Sequence, residues 1–274
     1  MKKAIMKKVL FCYLVTILAA MYLNCSQAGF QLKIDVSKAS SLRYLLGVDI
    51  DGKRRLCDTT INFSSSLRTF LQGQDSAGSN QIYLAVNDIR IQSDILDDAQ
   101  RRNLEQQFEK MKFSYAPGDG EVAAIEHAGI PFIDIQGWDL YRNFTKVFPL
   151  FPMAAVKQGD TWEREFAFPV ESALGDATGH IYQNYILDSV RVSDSQHQLA
   201  YISWRYLYQV EAAPGSDSSY LSKMPNSGDG TARAVLNLSS GTVESAHADF
   251  EVHSDSAMQN AIEWHQTIHL ELVK

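Results

Sequence analysis

Apolar and polar side chains alternate with a period of two along most of this chain, the pattern of strands that bury one face. Over residues 41–50, Leu42, Tyr44, Leu46, Val48 and Ile50 fall on one side. Over 81–91, Ile82, Leu84 and Val86 share a face before Asn87-Asp88 shifts the pattern to Ile89 and Ile91. Residues 182–192 alternate again. In 199–210, Tyr201, Trp204, Tyr206, Leu207 and Tyr208 read as aromatic-rich on both faces. The last segment, 264–273, sets Trp264, Ile268, Leu270 and Leu272 against His265, Thr267, His269 and Glu271. Turn-forming clusters such as 75–80 and 193–195 separate these runs and predict antiparallel connections.

Two stretches break the alternation with helical spacing. Asp97 or Asp98 can cap a helix to about Met111, with Leu104, Phe108 and Met111 at i, i+4 and i+7. Trp138, Tyr141, Phe144, Val147 and Phe148 give a second, aromatic helix over 138–148, ended by Pro149 and Pro152. Pro214, Gly215, Pro225, Gly228 and Gly230 predict an exposed loop over 213–230. Residues 112–122 and 234–243 share a strand, turn, Gly-x-Val reading, so two related hairpin sets are expected, near 30–135 and 155–274. The fold expected is mainly β: one domain over 29–274, a long curved antiparallel sheet or half-barrel enclosing one or two helices. A pair of small β domains is the alternative.

The first 28 residues change the setting. Lys2, Lys3, Lys7 and Lys8 precede an apolar run over 9–22, and small or polar residues follow to Ser26-Gln27-Ala28. That order is the signature of a secretory signal peptide. The run is too short for the roughly 20 residues of a membrane span. Cleavage before Gly29 gives a soluble exported protein, periplasmic or outer-membrane-associated. Lipidation of Cys25 is the other exit and the one route to the membrane, although Tyr22 and Asn24 fit a lipoprotein signal poorly. The leader carries away four lysines and no acid, so 21 basic side chains then face 32 acidic ones and the net charge moves from −7 to −11. Such a chain repels polyanions, so no nucleic-acid partner is expected. Of the three cysteines, Cys12 and Cys25 lie in the leader region and Cys57 stands alone, so no disulfide framework exists.

Motifs that would carry chemistry are weak. The chain has no Gly-x-Ser-x-Gly and no His-Glu-x-x-His. Gly118-Asp119-Gly120 and Gly228-Asp229-Gly230 look like fragments of calcium loops without the acids that complete one. His265 and His269 would share a metal on a helix, but on a strand they stand about 13 Å apart. Gly159-Asp160-Thr161-Trp162 reads as a turn followed by a core tryptophan. No enzyme, no cofactor and no metal are expected.

The turn-linked Gly120-Glu121-Val122, the aromatic helix, Phe151-Pro152, Val156-Lys157-Gln158-Gly159-Asp160-Thr161-Trp162 and the late Gly241-Thr242-Val243 together resemble a family of uncharacterised bacterial envelope proteins, often lipoproteins. The resemblance implies a plan similar to lipoprotein-carrier half-barrels and a role in handling hydrophobic molecules or maintaining the envelope. With it, the expected function is binding or carrying a hydrophobic ligand, lipid or lipoprotein. Trp138, Tyr141, Phe144, Phe148, Trp204 and Tyr206 are the candidate ligand-binding side chains, the 138–151 segment acting as plug or lid. A structural or protein-interaction component of the envelope, without a small-molecule ligand, is the alternative.

Overall fold

Strands of 11 to 18 residues that bury every second side chain can satisfy their backbones only by pairing along their whole length. The computed structural model describes residues 29–35, 37, 41–56, 59–74, 82–115, 122–125, 140–172, 175–193, 195, 197–212, 226–254 and 262–273. Residues 1–28, where a signal peptide and Cys25 as a lipidation site are expected, therefore lie outside the described residues, as does Trp138.

Among the described residues, eleven antiparallel strands form one open sheet. In chain order they are β1 (Arg43–Leu56), β2 (Thr59–Gln74), β3 (Ile82–Ser93), β4 (Lys112–Tyr115), β5 (Val122–Ile125), β6 (Thr161–Ser172), β7 (Gly175–Val192), β8 (Gln198–Ala212), β9 (Ser227–Asn237), β10 (Thr242–His253) and β11 (Ile262–Leu272). Their spatial order is β5-β4-β3-β2-β1-β11-β10-β9-β8-β7-β6. Each half is a simple meander, and the first and last strands zip the halves together from Tyr44↔Leu272 to Arg54↔Ile262. At the register shifts between Arg68 and Phe70, Leu187 and Ser189, and Val243 and Ser245, one strand carries an extra residue. The Asn87-Asp88 pattern shift is real: Asp88 has φ +49°, and the buried positions pass from Val86 to Ile89.

Helix α1 (Asp98–Phe108) starts as its sequence requires. Asp97 Oδ1 accepts from the backbone N–H of Ala99 and Gln100, both at 2.8 Å, and Gln100 Oε1 accepts from Asp97 N–H at 3.1 Å. It buries Leu104 and Phe108 and packs on β3. Helix α2 (Leu140–Val147) packs on β9, β10 and β11 and stops before Pro149. Its seat is low because the inner-face residues Ala232 and Ala234 of β9 and Ala246 and Ala248 of β10 each carry only a methyl group.

The expected loop over 213–230 needs correction at its end. Residues 213–225 lie outside the described residues, but Ser227–Gly230 pair with β8 and β10 as the start of β9. Gly230 is there for close approach: a Cβ would stand 2.1 Å from the Asp249 carbonyl oxygen and 2.4 Å from Phe250 Cδ1. The same pairing removes Gly228-Asp229-Gly230 as a calcium loop.

Candidate functional site

The inner face of the sheet runs from aromatic to aliphatic across the strands. Trp162, Tyr185 and Trp204 are cross-strand neighbours on β6, β7 and β8. Trp162 stacks on Tyr185 with centroids 5.2 Å apart and planes 4° from parallel, and Tyr185 meets Trp204 at 5.1 Å. Contacts of this kind contribute about 0.5–1.5 kcal/mol each beyond area burial. The segment after α2 is tied over this ladder. Trp162 Nε1–H donates to the Leu150 carbonyl at 2.7 Å, and Leu150 N–H donates to Tyr185 Oη at 3.3 Å. Gly159, at φ +87°, makes the turn into β6, and Asp160 closes it by accepting from Lys157 N–H at 2.8 Å. The Gly-Asp-Thr-Trp motif thus sets the position of Trp162.

Of the residues expected to bind a ligand, Phe144, Phe148, Trp204 and Tyr206 are buried on this face. Tyr141 belongs to α2, with its side chain outside the described residues. Phe144 stacks on Phe148 at 4.7 Å, and Phe148 meets Tyr44 of β1 edge-on at 6.2 Å. Tyr206 meets Phe250 edge-on at 4.7 Å. Lys146 joins the two groups, its Nζ lying 5.2 Å from the Phe250 ring centre and 6.0 Å from that of Tyr206.

One expectation is overturned. Trp204, Tyr206 and Tyr208 do not divide between the faces of β8. All three are buried with Ile202 and Val210, while Leu207 is exposed. Residues two apart on a strand share a face, so the aromatic surplus is one-sided.

A buried polar set was missed by reading for apolar residues. Gln266, fully buried on β11, accepts at Oε1 from Lys146 Nζ and donates from Nε2 to Asn143 Oδ1, both at 2.8 Å. The three side chains fasten α2 to the sheet. Their signal was present: Gln266 sits at an inward position between Trp264 and Ile268, and Asn143 and Lys146 are three apart on an apolar helix face. Two further polar atoms stand out. The indole N–H groups of Trp204 and Trp264 are buried, and neither has an acceptor among the described residues.

The outer face is chemically opposite. Cross-strand pairing builds the rows His269–His247–Arg233, Thr267–Asp249–Thr231 and His265–Glu251–Asp229 on β11, β10 and β9. Arg68 of β2 arches over Gly47 and holds Asp49 with two 2.8 Å hydrogen bonds. Burial, with His247 beside it, holds the His269 imidazole below its ordinary value. Burial pushes the Asp249 carboxyl up, but the hydrogen bond and charge of His247, the hydrogen bond from Thr267 and the charge of His265 together outweigh it and the net direction is down. Among the described residues no group of three or more His, Cys, Asp or Glu converges on one metal position. No described helix is long and apolar enough to cross a membrane.

No protein-family model matches the chain, and no curated protein matches it. Among solved structures, a lipovitellin structure titled for its lipid–protein interactions is similar over 85% of this chain, with TM-score 0.43 and 13% identity. This chain spans 25% of that one. A DUF1329 family protein from Desulfovibrio piger aligns over 86% of this chain and 87% of its own, with TM-score 0.15 and 6% identity.

Proposed function

We propose that this is an exported, non-enzymatic envelope protein that holds an amphiphilic ligand, an acyl chain with an oxygen acceptor near one end, against the inner face of its sheet. The observation that carries the reading is the Trp204 indole N–H, buried among aromatic side chains with no acceptor among the described residues. Leaving a buried donor unmade costs about 1–3 kcal/mol, so an ester or carboxyl oxygen offered to it is favoured over a plain hydrocarbon. The Tyr185 ring beside it, and the Tyr206–Phe250 pair on the same inner face, supply apolar contact of the kind that lines lipid sites. The signal sequence supports export, and the chemistry of Cys25 decides between a soluble and a tethered form. Carriage of lipids or lipoproteins is the sense in which such a site serves the envelope.

Native mass spectrometry of the protein purified gently from its own envelope fraction tests this. The expected spectrum starts at Gly29 or at acylated Cys25 and carries extra mass that organic solvent releases as lipid. Trp204→Phe removes the donor and keeps a ring, and should weaken retention about 5–10-fold, as loss of one hydrogen bond would. A polypeptide mass alone, with no lipid in the extract, overturns the reading. A stoichiometric protein partner in its place would favour a structural component docking on β6, a 12-residue strand that among the described residues pairs with β7 alone.

A further inference from the structure

We propose that His247 and His269 form a two-imidazole site for a late divalent transition-metal ion, copper(II) above all, on the outer face of the β10–β11 hairpin. The hairpin register sets the two residues directly opposite each other. Their Nδ1 atoms are 2.9 Å apart and hydrogen-bonded, His269 Nδ1–H donating to His247 in the metal-free protein, so binding an ion moves the His269 proton to its Nε2. With metal–nitrogen bonds of about 2.0–2.1 Å, two ligands at right angles on one ion stand about 2.9 Å apart. That right angle is the cis arrangement of tetragonal copper(II) and nickel(II), and copper(II) binds nitrogen donors most tightly in the first-row series. A tetrahedral ion such as zinc(II) would need the rings to part by a few tenths of an ångström.

The neighbours prepare the donor atoms. Asp249 Oδ2 lies 2.7 Å from His247 Nε2, and a carboxylate only accepts, so the proton of neutral His247 resides on Nε2 and its Nδ1 lone pair faces His269. Thr267 Oγ1 donates to the other carboxylate oxygen at 3.1 Å and steadies Asp249. A carboxylate behind an imidazole is the arrangement that orients metal-bound histidines and raises their basicity. Arg233 stands opposite His247 across β9, and Arg68 lies beyond His269, its charge offset by Asp49. Space is available: a depression of about 470 Å³ opens here, lined by Asp188, Tyr201, Arg233, His247, His269 and Glu271 among others. The chain supplies two ligands, and water or an external ligand completes the coordination, which suits an exchangeable ion. The face concerned is opposite the one that carries the lipid reading, so neither proposal depends on the other.

The test is copper(II) titration of the untagged full chain at pH 7.5 by calorimetry, with electron paramagnetic resonance of the one-to-one complex. The expected result is a single site with two imidazole nitrogens in the hyperfine pattern and weaker binding of nickel(II) and zinc(II). His247→Ala and His269→Ala should each weaken it at least 10-fold. Asp249→Asn, which leaves both ligands in place, should weaken it about 10–100-fold. His265→Ala, on the same face, should leave it unchanged. No binding at millimolar copper, a spectrum with one imidazole, or undiminished binding in the His247→Ala, His269→Ala double variant overturns the proposal. Thermal melting of each variant separates loss of ligands from loss of fold.

Discussion

Strand β11 presents two chemistries on one backbone. Trp264, Gln266, Ile268 and Leu270 are buried beneath α2 and its neighbours, while His265 and Glu271, one residue away from them, are exposed. β10 repeats the contrast, with Ala248, Phe250 and Val252 inside and Glu251 and His253 outside. Both faces are aligned by the same register, so the hydrogen bonds that stack Phe250 against its inner neighbours also bring His247 to His269. What differs is the consequence of change. Inside, each side chain touches fixed neighbours at crystal-like density. Outside, long side chains swing in water and compensate.

The largest expected effect breaks the inner face. Phe250→Ala removes a ring that is 1% exposed and packed against Tyr206, and should cost about 3–5 kcal/mol in urea unfolding. Glu251→Ala, its neighbour on the outer face, should stay within about 0.5 kcal/mol. Equal losses at the two positions would show that the faces are not separated in energy as they are in burial.

Polar pairing inside the apolar face comes next. Gln266→Leu takes away one acceptor of Lys146 and one donor to Asn143, and should cost about 1–3 kcal/mol. Changing Lys146→Met in the same protein should recover part of that loss, because the ammonium group that had donated to Gln266 is then gone as well. A strictly additive double variant would argue that the amide and the ammonium act independently.

Two glycines sharpen the contrast further. At Gly230 an added Cβ meets backbone at 2.1 Å, whereas at Gly47 it meets only the flexible Arg68 side chain at 3.2 Å. Gly230→Ala should lower stability by about 1–3 kcal/mol, as overpacking does, and Gly47→Ala by clearly less. Thermal melts of the two variants side by side measure the difference.

How much of this was legible depends on the range of the information. Period-two alternation is local, so the strands around Tyr44, Ile82, Tyr185 and Trp264, and even the shift at Asn87-Asp88, could be read directly. The Asp97 cap and the stop at Pro149 were equally local. Pairing is not local. Nothing within residues 242–253 states that His247 faces His269, and the metal spacing sought along one strand, His265 to His269, was the wrong separation to test. Gly228 and Gly230 suggested a loop because their reason, the Phe250 ring and the β10 backbone, lies about 20 residues away in sequence. Gln266 was passed over for a different cause: a polar residue at an inward position looks like a lapse in the pattern until its partners on α2 are known.

The smallest expected effect lies wholly on the outer face. Arg68 and Asp49 form a two-pronged ion pair at 2.8 Å, but their side chains are 46% and 38% exposed. Water screens such a pair, and holding the long arginine in one rotamer opposes the attraction, so a double-mutant cycle with Arg68→Ala and Asp49→Ala should give about 0.2–1 kcal/mol of coupling. Raising the salt to about 1 M shortens the screening length to about 3 Å and should remove much of it. Coupling above about 2 kcal/mol that survived salt would mean the pair behaves as a buried one. The outer face would then owe its order to charge, and the difference between the two faces would be one of kind of interaction and not of strength.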